Sequence, residues 1–170
     1  MKIIKFILNN IVSLIDYPVK IRNRLRYFFY WLIYDIDKSF IFKGFETFLY
    51  GPGAIKLGKC SYIGSYSSIN SIKLHSVIIG DYVKISHNVR IYTSTDVSDQ
   101  DFSAKVIQKK TSNVIIMDYA WIGANVYIGP GVTIGRNAVI GANSVVTKSV
   151  ADSEIWGGVP AKLIKKKNVQ

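Results

Sequence analysis

An isoleucine or valine recurs at every sixth position from Ile116 through Ile122, Ile128, Ile134 and Ile140 to Val146. This period constrains the fold more than any other property of the chain, because hexapeptide repeats build parallel β-helices. A second series sits two residues earlier, at Val114, Ala120, Val126, Val132, Ala138 and Ser144, and glycine follows the main position at Gly123, Gly129, Gly135 and Gly141. Alternate residues of a strand point to opposite faces, so both series point inward. The glycines then fall at turns, where glycine or a small polar residue relieves backbone strain. The letters Ile122-Gly-Ala-Asn125 return at Ile140-Gly-Ala-Asn143, one three-sided coil later. Stacking would lay asparagine over asparagine, where amides hydrogen-bond along the column.

The pattern reappears upstream at Ile79, Ile85 and Ile91, and before them at Leu57, Ile63 and Ile69. It predicts a solenoid over residues 51–150, beginning near Gly51. Two interruptions break it: extra residues between Ile69 and Ile79, and a polar stretch over 92–113 containing Thr95, Asp96, Asp99, Asp101, Lys109 and Lys110. The second predicts a projecting loop, and long loops in compact domains usually carry function.

Residues 1–50 lack the period and read as helical. Val19 to Ile36 combines Arg22, Arg24 and Arg26 with Tyr27, Phe28, Phe29, Tyr30, Trp31, Leu32 and Ile33. Its apolar run is too short to span a bilayer. Two readings stay open: a helix capping the first coil, or an interfacial segment in peripheral contact with anionic lipid. Asn9 and Asn10 interrupt the first apolar run and no small-residue cleavage site follows, so no signal peptide is expected. Residues 151–170 form a basic extension with Lys162, Lys165, Lys166 and Lys167.

Across its 170 residues the chain carries 22 Lys and Arg against 11 acidic residues, a formal charge of +11 that favours anionic ligands. Nucleic acid is not expected, since no aromatic platform or groove-reading motif accompanies the charge. Cys60 is the single cysteine, which excludes an internal disulfide and fits a reducing cytoplasm.

Trp121-Ile-Gly-Ala-Asn-Val126, Val139-Ile-Gly-Ala-Asn-Ser-Val-Val-Thr-Lys148 and Gly157-Gly-Val-Pro-Ala-Lys162 together resemble the hexapeptide-repeat acyltransferases. That family includes galactoside, maltose and serine acetyltransferases and the sugar O-acetyltransferases of bacterial surface polysaccharides. The likeness runs from about Gly51 to Lys165. It implies that the all-β solenoid is a left-handed parallel β-helix, to which the residues themselves add the N-terminal helical segment and the projecting loop. It also implies a homotrimer that takes acetyl-CoA as acyl donor along a groove between subunits and has a sugar or glycan precursor as acceptor. By position, Ala124 and Ala142 match the small residues lining that groove, Trp121, Thr147 and Lys148 lie in its motifs, and Lys162 and Lys165 lie where CoA phosphates are met.

One departure bears on mechanism. Relatives place a histidine, the general base, where this chain has Thr95 and Asp96. Only His75 and His87 exist. A sugar hydroxyl needs a base at neutral pH, and imidazole titrates in the working range. His87 lies on the coil feeding the polar loop and is the first candidate. His75 is the second, because His75-Ser-Val-Ile-Ile-Gly80 is similar to the catalytic stretch of amino-sugar N-acyltransferases. Asp96, Asp99 and Asp101 are candidates for orienting the imidazole or binding acceptor hydroxyls. No metal is expected, since a shared-zinc β-helix needs three histidines per site. The alternatives to O-acetylation are N-acylation of a nucleotide-linked amino sugar and a catalytically degenerate scaffold.

Overall fold

The computed structural model describes residues 2–168 of the backbone, with the side chains of the first helix described at Leu8 and from Leu14 onward. Two units are present, residues 1–33 and 34–170. The first is a helix, α1 (Lys2–Ile33), with Pro18 inside it.

The second unit is the expected solenoid. Its strands are two to five residues long and, apart from one two-stranded hairpin and a final antiparallel strand, form three parallel sheets, termed faces A, B and C in the order the chain visits them. Face A contains Asp35–Ile36, Ala54–Leu57, Ser76–Ile79, Val114–Ile116 and Thr133–Ile134. Face B contains Ile41–Lys43, Tyr62–Gly64, Lys84–Ile85, Trp121–Ile122, Val139–Ile140 and Glu154–Gly157. Face C contains Phe48–Tyr50, Ser68–Asn70, Arg90–Tyr92, Tyr127–Ile128 and Val145–Val146. Neighbours within each face run parallel and keep the period in register: Ile79, Ile116 and Ile134 stack on face A, and Ile85, Ile122 and Ile140 on face B. All six are at most 1% exposed, so the aliphatic columns are the core. The second inward series is equally buried, and where it is polar it is bonded. Ser61 Oγ donates to Gly80 O (2.7 Å) and accepts from Val83 N (2.8 Å), and Ser144 Oγ donates to Gly141 O (2.6 Å).

The first coil begins at Asp35 rather than Gly51. Ile36 pairs with Leu57, Phe42 with Ile63 and Leu49 with Ile69, so a whole coil precedes the predicted start. Spacing hid it: Ile36 to Phe42 keeps the period, but Leu49 falls one residue late, after a turn with positive φ at Gly44 and Glu46.

The repeat glycines also differ from their expected role. In these turns the left-handed backbone falls on Asn88, Asn125, Asn137 and Asn143, with φ of 56° to 59°, a conformation asparagine tolerates better than most residues. Gly123 and Gly135 are needed for close stacking. A Cβ on Gly123 would lie 2.6 Å from Ala142 N, and one on Gly135 2.5 Å from Asp152 N. The expected amide column is present: Asn88 Nδ2 donates to Asn125 Oδ1 and Asn125 Nδ2 to Asn143 Oδ1, both at 2.9 Å.

Both interruptions of the period emerge at one corner, where face C turns into face A. The shorter lies between Ser68–Asn70 and Ser76–Ile79, and the longer between Arg90–Tyr92 and Val114–Ile116. Asn113 Oδ1 accepts from Ser76 N (2.9 Å) and ties one to the other. The polar stretch is an ordered hairpin, Ser94–Asp96 antiparallel to Lys109–Thr111. Gln100 fastens its tip, donating to Val97 O and Gln108 O and accepting from Gln108 N.

Candidate active site

The corner bearing the hairpin holds a cavity of ≈ 280 Å³ lined by Thr95, Asp96, Val97, Ser98, Lys110, Tyr127, Gly129, Pro130 and Thr147. Asp96 and Thr147, which sequence placed in different roles, therefore meet in one site. The Asp96 carboxylate accepts from Lys109 Nζ at 2.8 Å, an exposed pair that orients the carboxylate more than it stabilises the fold. Tyr127 and Ser98 were not anticipated, and Lys110 was named only as part of the polar loop. Tyr127 was open to detection: it sits between inward Val126 and Ile128, so strand alternation turns it outward beside the hairpin. Its ring meets Tyr92 edge-on with centroids 5.9 Å apart, extending the site over face C. Farther along that face, burial and then a hydrogen bond with Tyr92 push the Tyr50 hydroxyl up to about 12.

A second grouping lies at the corner where face B turns into face C. Asn143 N donates to Ala124 O (2.9 Å) and Asn125 N to His87 O (3.0 Å), so the Ala142 turn, the Ala124 turn and His87 form one vertical column. His87 Nδ1 accepts from Ser65 N (3.1 Å), and a Cβ on Gly64 would lie 2.8 Å from that nitrogen. Gly64 thus makes room for the ring, and Ser65 fixes it. An imidazole accepting at Nδ1 carries its proton on Nε2 when neutral, so His87 presents a donor outward.

The remaining candidates separate. His75 is half-buried at the hairpin's corner, one coil earlier, and its imidazole makes no hydrogen bond to the described residues. Asp101 lies on the hairpin loop, where its carboxylate accepts from Ser103 Oγ (2.7 Å) and Ser103 N (2.8 Å), bonds that hold it below the usual carboxylate range. These bonds serve the loop's own turn. Asp99 is exposed on the same loop. Trp121 projects from face B into a different concavity with Tyr62, Tyr82, Lys84 and Tyr119. Thr147 and Lys148 lie at the hairpin's corner, above the last full coil. Lys162 and Lys165 stand on a final exposed strand, Lys162–Lys166, antiparallel to Glu154–Gly157. Among the described residues no three His, Cys, Asp or Glu side chains cluster as a metal site would require.

A parallel β-solenoid of hexapeptide coils, interrupted at one corner by a polar hairpin, defines a structural class. Residues 113–148 match the family model for the bacterial transferase hexapeptide (six repeats). No curated protein matches it by sequence. Among solved structures it is similar to a galactoside acetyltransferase in complex with coenzyme A, at 29% identity and TM-score 0.68, over 79% of this chain and 65% of that one. It is similar to the polySia-specific acetyltransferase NeuO at 29% identity and TM-score 0.61, over 75% of this chain and 65% of that one. A variant of AntD, an N-acyltransferase from Bacillus cereus in complex with dTDP-4-amino-4,6-dideoxyglucose and coenzyme A, shares the fold at 24% identity and TM-score 0.64, over 79% and 81% of the two chains.

Proposed function

We propose that this protein is an acyl-CoA-dependent acyltransferase that moves an acetyl group from acetyl-CoA to a sugar hydroxyl of a bacterial surface glycan or its precursor, acting in the cytoplasm as a homotrimer. The observation that carries the reading is the column of Ala142, Ala124 and His87. Two small residues leave backbone accessible for a pantetheine arm, Lys162 and Lys165 stand toward the C-terminal end for the phosphates, and a histidine follows at the other end of the path. Both galactoside acetyltransferase with its coenzyme A and the NeuO likeness favour CoA as donor and a sugar as acceptor.

Transfer is direct in this mechanism. A base removes the acceptor hydroxyl proton, the oxygen attacks the thioester carbonyl, backbone amides stabilise the oxyanion, and the CoA thiolate leaves and is reprotonated. His87 is the proposed base and His75 its alternative; since His87 and the hairpin occupy different corners of one chain, Asp96, Asp99 and Asp101 would reach an acceptor at His87 from a neighbouring copy in the trimer. To accept a proton from a hydroxyl, the His87 ring must release Ser65 N and present a bare nitrogen. That contact favours a second reading, N-acylation of a nucleotide-linked amino sugar, since a neutral amine attacks with little help from a base.

The test is release of CoA thiol from acetyl-CoA with a panel of sugars and nucleotide sugars, products being identified by mass. O-acetylated sugar supports the first reading and an amide the second. No turnover of any acyl-CoA with any acceptor overturns both. A bulky residue in the groove gives a separate expected result: Ala124→Phe and Ala142→Phe should each weaken CoA binding about tenfold or more, a loss of ~1.4 kcal/mol. Calorimetry measures it, and sedimentation should show assembly unchanged. Unchanged CoA affinity in both variants would remove the column from the groove.

A further inference from the structure

The helix α1 carries a surface that acyl transfer does not use. Successive helical residues step ~100° around the axis, which brings Leu14, Ile21, Leu25, Phe28 and Leu32 onto one line. All five are exposed, Leu14 by 73% and Leu32 by 68%, and Tyr17 and Phe29 widen the stripe to either side. Lys20 and Arg24 fall along one border of the stripe and Arg22 along the other, while Arg26 is half-buried and donates to Asn23 Oδ1 (3.1 Å). Asp16 is the one acidic residue in the helix. Apolar side chains between two cationic borders match a bilayer surface, where acyl chains take the stripe and anionic headgroups meet the borders.

Two other occupants fit less well. A second copy of the helix, laid stripe to stripe, would bring Lys20, Arg22 and Arg24 against the same cations with only Asp16 to offset them. A bilayer crossing is opposed by the same charges, and no described helix is long and apolar enough to cross a membrane. We infer that α1 lies in the plane of an anionic lipid bilayer, its Leu14–Leu32 stripe inserted and its Lys20, Arg22 and Arg24 borders at the headgroups, tethering the protein peripherally. The inference is independent of the acyl-transfer reading.

Flotation of the full chain with phosphatidylcholine vesicles, with or without phosphatidylserine, tests it. Partition onto the phosphatidylserine vesicles should exceed that onto neutral ones by about tenfold or more and fall as salt is added. Phe28→Glu with Leu32→Glu should abolish flotation, and Lys20→Gln with Arg24→Gln should reduce the preference for anionic lipid. The β-sheet circular dichroism signal of each variant should match the parent, so loss of flotation is not loss of fold. Equal partition onto both vesicle types, or none onto either, overturns the inference. So does a Phe28/Leu32 double variant that floats like the parent, or one that changes the sedimenting mass instead, which would assign the stripe to a second copy.

Discussion

Ile134→Asp is expected to prevent folding outright. Ile134 is fully buried on face A, stacked on Ile116 below and bridged to Val150 above, so a carboxylate there has neither water nor a partner. Burying an unpaired polar group costs several kcal/mol, and an ionised carboxylate more, against a total stability of about 5–15 kcal/mol. A solenoid also has no alternative packing to offer, because every inward position is repeated directly above and below. Ile134→Val, which keeps the shape, should cost only about 0.5–1.5 kcal/mol. Thr133→Asp, one residue earlier and directed outward, should leave the fold intact. Circular dichroism and thermal unfolding distinguish the three, and a soluble, cooperatively folding Ile134→Asp protein would disprove the inward assignment.

The largest effect on activity is expected at His87. His87→Ala should lower turnover by about a hundredfold or more, the usual scale for loss of a general base, while CoA affinity and assembly stay near the parent's. His75→Ala should do much less. The Ser65 contact makes His87 readable in a further way: Gly64→Ala places a methyl against Nδ1 and should perturb turnover without removing the imidazole. If His75→Ala is the damaging change, the base belongs to the hairpin's corner. Should neither histidine matter, hydroxyl deprotonation by imidazole is not the mechanism, and the amine acceptor becomes the better reading.

How much of this was visible in the sequence differs by element for physical reasons. The columns through Ile122, Ile128 and Ile134 were legible because each short strand contributes one large inward side chain per six residues and nothing else satisfies that spacing. The asparagine column was legible for the same reason, since identical letters one coil apart must overlie one another. The first coil was not, because the extra residue before Leu49 shifts the period and because Ile36 and Phe42 are only half-buried at the end of the stack. The cavity was half legible. Asp96 and Thr147 were both singled out, but their meeting depends on which corner each turn occupies, and a period of six names positions within a face without saying which corner an insertion adorns. His87 was located correctly on the coil before the hairpin, yet it faces a different corner, a distinction that sequence proximity alone does not make.

The final strand, Lys162–Lys166, has a consequence for solubility. A stack of parallel strands ends in a row of unpaired backbone groups, a template on which another chain can polymerise. Here the chain reverses after Gly157 and lays an antiparallel, fully exposed strand with three lysines along face B, so the outermost edge of that face is charged and runs opposite to the strands beneath it. Two of those lysines, Lys162 and Lys165, are also the proposed phosphate contacts. Removing the segment would therefore uncover an adhesive edge at the same stroke as it weakened donor binding, and a truncated protein would be judged inactive when it had first become prone to aggregate.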